Sequence, residues 1–167
     1  MIARGTAVFV MGVSGVGKSV FAEQLAHQLK MPFIEGDRLH PSAHVQKMAA
    51  GIALSDEDRW PWLDAVGATV AATRSPNGAV ATCSALQRVY RNRLRTAVAP
   101  PVLFVCLTAD RATLSERLRL RQHHFMPEAL LDSQLRTLEM PGADENAVVI
   151  SANQSTKDML RVLQLSN

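Results

Sequence analysis

Residues Gly12-Val13-Ser14-Gly15-Val16-Gly17-Lys18-Ser19 satisfy every fixed position of the pattern G-x-x-x-x-G-K-[ST]. This run constrains the fold more than any other, because the pattern carries meaning only between a strand and a helix. Both neighbours are present. Thr6–Met11 reads as a strand with no polar face, as expected of a central parallel strand. From Lys18 onward, Phe21, Leu25 and Leu29 recur at every fourth position of a helix. In that setting the glycines let the backbone turn its N–H groups toward phosphates, and the helix N-terminus adds partial positive charge. Lys18 reaches the β- and γ-phosphates, and the Ser19 hydroxyl is placed to ligate Mg2+. The expectation is a nucleotide cradle over 12–19, with ATP and Mg2+ as cofactors.

The rest of the chain repeats the alternation. Strand-like runs at Phe33-Ile34, Ala79–Cys83, Val102–Leu107 and Ala147–Ile150 are separated by helical patterns at 42–50, 55–73, 86–97, 112–121, 128–139 and 157–165. Ser55-Asp56-Glu57-Asp58 is a capping-box start, and Pro61 is tolerable only near the beginning of its helix. Five strands alternating with helices predict an α/β fold: a three-layer sandwich whose five-stranded parallel sheet is covered on both faces. No repeat or linker divides the 167 residues, so 1–167 reads as a single domain.

The cradle specifies a nucleotide and leaves the task open. No Asn-Lys-x-Asp guanine motif is present, which disfavours a GTPase switch, and the third strand ends in Cys-Ser where a metal-binding acid usually stands. Asp37, at the end of the second strand, is the candidate replacement. An acid there faces the crevice in which open α/β sheets bind ligands, although an Asp after Gly36 also caps turns. Apolar residues make up 47% and charged residues 20%, a composition able to fill a core. Fourteen of the eighteen basic residues are Arg, eight of them between Arg88 and Arg121. They read as solvated helix faces with a few phosphate clamps among them. A pI near 9.2 raises nucleic-acid binding, but no stacking aromatics alternate with the arginines, so no nucleic-acid partner is expected. Cys83 and Cys106 lie in apolar runs and read as buried thiols. No apolar run approaches a membrane span of about 18 residues. No membrane partner is expected, and the location reads as cytoplasmic.

Glu35-Gly36-Asp37-Arg38-Leu39-His40-Pro41 narrows the class. With this block in view the sequence resembles the gluconate kinases, small P-loop sugar-acid kinases related in fold to shikimate and nucleoside-monophosphate kinases. The resemblance continues through Lys47-Met48, Gly51, Leu54, Asp56, Asp58-Arg59, Pro61-Trp62-Leu63 and Cys83-Ser84-Ala85-Leu86. It extends to Tyr90-Arg91, Leu94-Arg95, Arg117-Leu118, Arg121, His124-Phe125-Met126, Ser133-Gln134, Leu138-Glu139 and Pro141-Gly142-Ala143-Asp144. Three positions depart: Gln87 stands where the family usually has Lys, Asn92 where it has Asp, and His123 where Gly is common.

The resemblance implies transfer of the ATP γ-phosphoryl to the 6-hydroxyl of D-gluconate, a small helical lid at about 117–127, and a homodimer. Asp37 is then the general base, or the acid that orients the hydroxyl and the Mg2+ water, and Ser19 and Asp37 stand on the metal side. Arg59 is the carboxylate clamp, with His40 and Lys47 as helpers and Ser84 beside the acceptor. Arg59 lies in the first turn of a helix, where a cation opposes the dipole, and that misfit favours a binding role. Arg117 and Arg121, four residues apart, are expected to share a helix face and point into the lid as arginine fingers. Trp60 and Trp62 fall on different faces of one helix, and which of them walls the pocket is open. The competing readings are a kinase for another small hydroxy-acid such as shikimate, and a non-catalytic ATP-binding regulatory module.

Overall fold

The computed structural model describes residues 2–121 and 127–163. The elements run β1 (Thr6–Met11), α1 (Lys18–Leu29), β2 (Phe33–Glu35), α2 (Ser42–Ala49), α3 (Asp56–Thr73), β3 (Gly78–Thr82) and α4 (Arg88–Ala97). They continue with β4 (Val102–Thr108), α5 (Arg111–Arg119), α6 (Glu128–Thr137), β5 (Ala147–Ser151) and α7 (Thr156–Val162), with single 3-10 turns at Gly36–Leu39 and Ala143–Glu145. The strands form one parallel sheet in the order β2-β3-β1-β4-β5.

All six residues of β1 are buried, because the strand has a neighbour on each side and helices above and below. Successive side chains alternate between the two faces. Val8 and Val10 join Phe21, Leu25, Leu107 and Leu114 in one core. Ala7, Phe9 and Met11 join Trp62, Leu63, Val66, Tyr90 and Leu94 in the other. Each large apolar side chain so buried contributes about 1.5–3 kcal/mol. α3 and α4 cross closely: a Cβ at Gly67 would lie 2.5 Å from the Ala97 Cβ, so only glycine allows the approach.

The sheet registers decide what meets at the carboxyl ends. Val10 of β1 pairs with Thr82 of β3, and Thr82 pairs with Glu35 of β2. The loop after β1 and the turn after β2 therefore emerge at the same end of the sheet, flanking the end of β3. The five expected strands are present to within a residue at either end. Two boundaries differ in ways that matter below. α5 ends at Arg119 where a helix to Arg121 was expected, and β2 leads into a 3-10 turn where only a strand end was expected. Among the described residues no helix is long and apolar enough to cross a membrane.

Candidate active site

Gly12 leaves β1 at φ +137, and a Cβ there would lie 2.6 Å from the Leu107 carbonyl oxygen. The position therefore demands glycine twice, for its backbone angle and for the neighbour's approach. Val13 and Val16 turn their side chains into the core and leave the loop backbone facing outward. Gly17 caps α1 in the left-handed conformation, and Gly15 also has positive φ. Lys18 folds back over the loop and donates to the Gly12 and Val13 carbonyls at 3.0 and 3.1 Å. Desolvation lowers its pKa from the ordinary lysine value, and the nearby Asp37 charge opposes that shift.

The turn after β2 is pinned from two sides. Gly36 N–H donates to Thr82 Oγ1 at 3.0 Å, and Trp62 Nε1–H donates to the Gly36 carbonyl at 2.9 Å. A Cβ at Gly36 would lie 2.0 Å from the Thr82 carbonyl oxygen, so the chain reaches Asp37 only through glycine. Glu35 joins the two halves of the site. Its Oε2 accepts from Ser19 Oγ at 2.5 Å, and its Oε1 accepts from Thr82 Oγ1.

These residues open on a cleft of about 630 Å3. Of the residues singled out in the sequence, Ser14, Lys18, Ser19, Asp37, His40, Arg59, Ser84 and Arg121 line it together. His40 stacks on Trp62 with ring centroids 4.0 Å apart, so Trp62 both fills the core and walls the cleft. Burial pushes the His40 pKa down to about 4, with Asp37 opposing and His44 and Arg59 adding. The imidazole is therefore neutral near pH 7, and its buried Nδ1 has no hydrogen-bond partner among the described residues. Arg59 donates from Nη1 to Tyr90 Oη at 2.9 Å and lies 3.5 Å from Asp56.

Two expectations are corrected. Arg117 does not share a helix face with Arg121. α5 stops at Arg119, and the Arg117 guanidinium donates to the Val16 and Ala152 carbonyls at 3.2 and 2.7 Å. It braces the phosphate loop from outside the cleft, while Arg121 reaches the lining. Lys47 is absent from the lining, and its Nζ is paired with Asp58 at 2.8 Å. Asp58, also hydrogen-bonded by Ser55 N–H, is drawn down to about 2 chiefly by Lys47. Of the expected lid, His123 and His124-Phe125-Met126 lie outside the described residues. Gln87 is the N-cap residue of α4 and does not line the cleft, and Asn92 Oδ1 accepts from Arg95 at 2.8 Å.

Sequence reasoning gave no role to Glu35 or Gln134. Gln134 Oε1 accepts from the Ser14 N–H at 2.8 Å and so ties α6 to the phosphate loop. An acid on the last residue of β2, two before Asp37, was the available signal for Glu35. Nothing local marks Gln134. Ser19, Glu35 and Asp37 offer oxygen donors only, a set that suits a hard cation such as Mg2+. Among the described residues no group of three His, Cys, Asp or Glu could hold a metal ion by itself.

A parallel sheet with a phosphate loop at the end of its central strand, beside a cleft carrying two carboxylates and three arginines, defines a P-loop kinase of small molecules. Residues 8–141 match the family model described as an AAA domain. The chain is 46% identical over 158 residues to the gluconokinase of Gluconobacter oxydans, covering 92% of this chain and 86% of that protein. It is 43% identical to the thermoresistant gluconokinase of Escherichia coli, covering 84% and 81%. The crystal structure of a gluconokinase from Sinorhizobium meliloti superposes with a TM-score of 0.85 at 42% identity, covering 96% of this chain and 90% of that one. The chain belongs to the gluconokinase family.

Proposed function

We propose that the protein is an ATP-dependent gluconokinase that phosphorylates the 6-hydroxyl of D-gluconate, giving 6-phospho-D-gluconate and ADP. The observation that carries this reading is that Arg59 opens on the same cleft as Lys18 and Asp37. A carboxylate-binding group thus stands in one space with a phosphate-binding group and a base.

Phosphoryl transfer asks for positioning and charge neutralisation more than for covalent chemistry. The loop amides of 12–19 and Lys18 cradle the β- and γ-phosphates, and Lys18 neutralises charge as the γ-phosphoryl moves. Arg121 supplies a second cation from the cleft wall. Arg59 clamps the gluconate carboxylate, while neutral His40, Ser84 and the face of Trp62 meet the polyol. Asp37 accepts the proton of the attacking hydroxyl. Ser19, Asp37 and Glu35 are the residues that would hold Mg2+, Glu35 through its bond to Ser19. When bound, that ion supplies charge stabilisation at the phosphates. We assign all of this to one domain spanning 1–167, acting as a homodimer in the cytoplasm.

ADP release with gluconate as acceptor tests the roles. Asp37→Asn keeps the shape and removes the charge. It is expected to depress kcat strongly while leaving ATP affinity close to wild type. A rise confined to the gluconate KM would make Asp37 a binding residue and not the base.

A further inference from the structure

Arg59 is not held as a surface arginine would be. It lies in the first turn of α3, where the helix dipole disfavours a cation, and its side chain is only 17% exposed. Its Nη1 donates to Tyr90 Oη at 2.9 Å, and the Tyr90 hydroxyl donates onward to Asp56 Oδ1 at 2.5 Å. The guanidinium carbon also lies 5.2 Å from the centre of the Tyr90 ring. Tyr90 itself comes from a different element, α4, is buried, and packs edge-on against Trp60 at 5.5 Å. Its burial and its bond to Asp56 push the phenol up to about 12, so the hydroxyl keeps its proton throughout the working pH range. With that proton committed to Asp56, the oxygen's lone pairs are what Arg59 meets.

We infer that Tyr90 is a specificity-determining positioning residue. Backed by Asp56, it fixes the Arg59 guanidinium by Nη1 so that the Nε–Nη2 edge is left to take the acceptor's carboxylate. This rests on the reading of Arg59 as the carboxylate clamp. Nε and Nη2 of Arg59 make no hydrogen bond among the described residues, and Arg59 lines the cleft. A carboxylate is recognised best by two parallel N–H donors in one plane, which is what an arginine edge offers and a lysine does not. Fixing the plane beforehand removes rotamer freedom that would otherwise be lost when the acceptor binds. The arrangement also explains how a cation is tolerated at the start of a helix. Asp56 and the tyrosine oxygen offset the dipole without occupying the free edge.

The test is a double-mutant cycle on the full-length enzyme with gluconate and an uncharged polyol of similar length. Tyr90→Phe keeps the buried ring and removes only the hydroxyl. It is expected to raise the gluconate KM by about two- to twelvefold, the range for ordering one long side chain on binding. The ATP KM and kcat are expected to stay within about twofold, and the preference for gluconate over the polyol to shrink. Arg59→Met is expected to raise the gluconate KM more. Adding Tyr90→Phe to Arg59→Met is expected to change nothing further, since there is no guanidinium left to orient. Equal effects of Tyr90→Phe with and without Arg59 would make the tyrosine a packing residue and overturn the inference, as would an unchanged gluconate KM in Tyr90→Phe alone. An unchanged gluconate KM in Arg59→Met would instead overturn the clamp, and this inference with it. Asp56→Ala, half-exposed and outside both cores, reads the same relay from its far end. A smaller rise in gluconate KM supports the relay even if Tyr90→Phe folds poorly, and no rise overturns it.

Discussion

At the scale of the residue, the site is a set of side chains held by backbone groups and by one another. Lys18 is the clearest case: two loop carbonyls hold its ammonium over the cradle. Lys18→Ala is expected to cut turnover by about 10²–10³, the usual cost of losing one electrostatic donor at a developing charge, with the melting temperature little changed. A variant retaining more than about a tenth of wild-type kcat contradicts that role. His40 supports a pH prediction. Its pKa is lowered to about 4, so it binds no proton in the folded protein between pH 5.5 and 8. The gluconate KM should therefore show no inflection near the ordinary histidine value of about 6.5. An inflection there, lost in His40→Gln, would mean that the imidazole is charged in the free enzyme.

At the scale of the element, strand ends and helix ends decide what reaches the cleft. β1, β3 and β4 were legible because strands buried on both faces read as unbroken apolar runs. The less buried edge strands β2 and β5 were legible as short apolar runs in the alternation with helices. The cradle was legible because its glycines and Lys18 are local to one loop. Arg117 was misplaced because spacing by four implies a shared face only while the helix lasts, and α5 gives way at Leu120. Lys47 was misplaced because Asp58 was read only as the cap of α3. The same carboxylate also takes the Lys47 ammonium, from a helix eleven residues earlier. Gln134 was invisible for a related reason: its contact spans 120 residues, and nothing near it in the chain announces it. That contact is testable. Gln134→Leu keeps the size and removes the acceptor, leaving the Ser14 N–H without its partner. Hydrogen exchange at Ser14 is expected to quicken while the centre of β1 stays protected. Unchanged exchange at Ser14 would show that α6 does not hold the phosphate loop.

At the scale of the whole molecule, one buried ion pair joins segments far apart in the chain. Arg91 is fully buried and donates from Nε and Nη2 to Glu145 at 2.7 and 2.8 Å. Its Nη1 donates to the Ala85, Leu86 and Glu139 carbonyls at 3.1, 3.2 and 3.1 Å. The loop after β3, the residues after α6 and the approach to β5 are thereby fixed to α4, and Leu86 of that loop lines the cleft. Arg91 holds the Glu145 pKa down to about 2. A depressed carboxylate stabilises the fold above its unfolded value of about 4.3, and that contribution is lost as pH falls toward the folded value. Stability should therefore decline between about pH 4.3 and 2. Glu145→Gln should lose about 3–5 kcal/mol at neutral pH, because it strands a buried guanidinium, and should show a flatter acid limb. An acid limb as steep as wild type would place the titration elsewhere.

The proposed function requires one cleft to combine a phosphate cradle, a base and a carboxylate clamp to phosphorylate gluconate. The most direct measurement is kcat/KM across a panel of acceptors with ATP and Mg2+: gluconate, shikimate, other small hydroxy-acids and an uncharged polyol of gluconate's length. Gluconate is expected to lead the panel, the product to carry phosphate on its 6-oxygen, and the polyol to be a poor acceptor. Equal turnover of gluconate and the polyol, or a clear preference for shikimate, would contradict the proposed function. ATP binding with no acceptor turned over would make the protein a nucleotide-binding module instead.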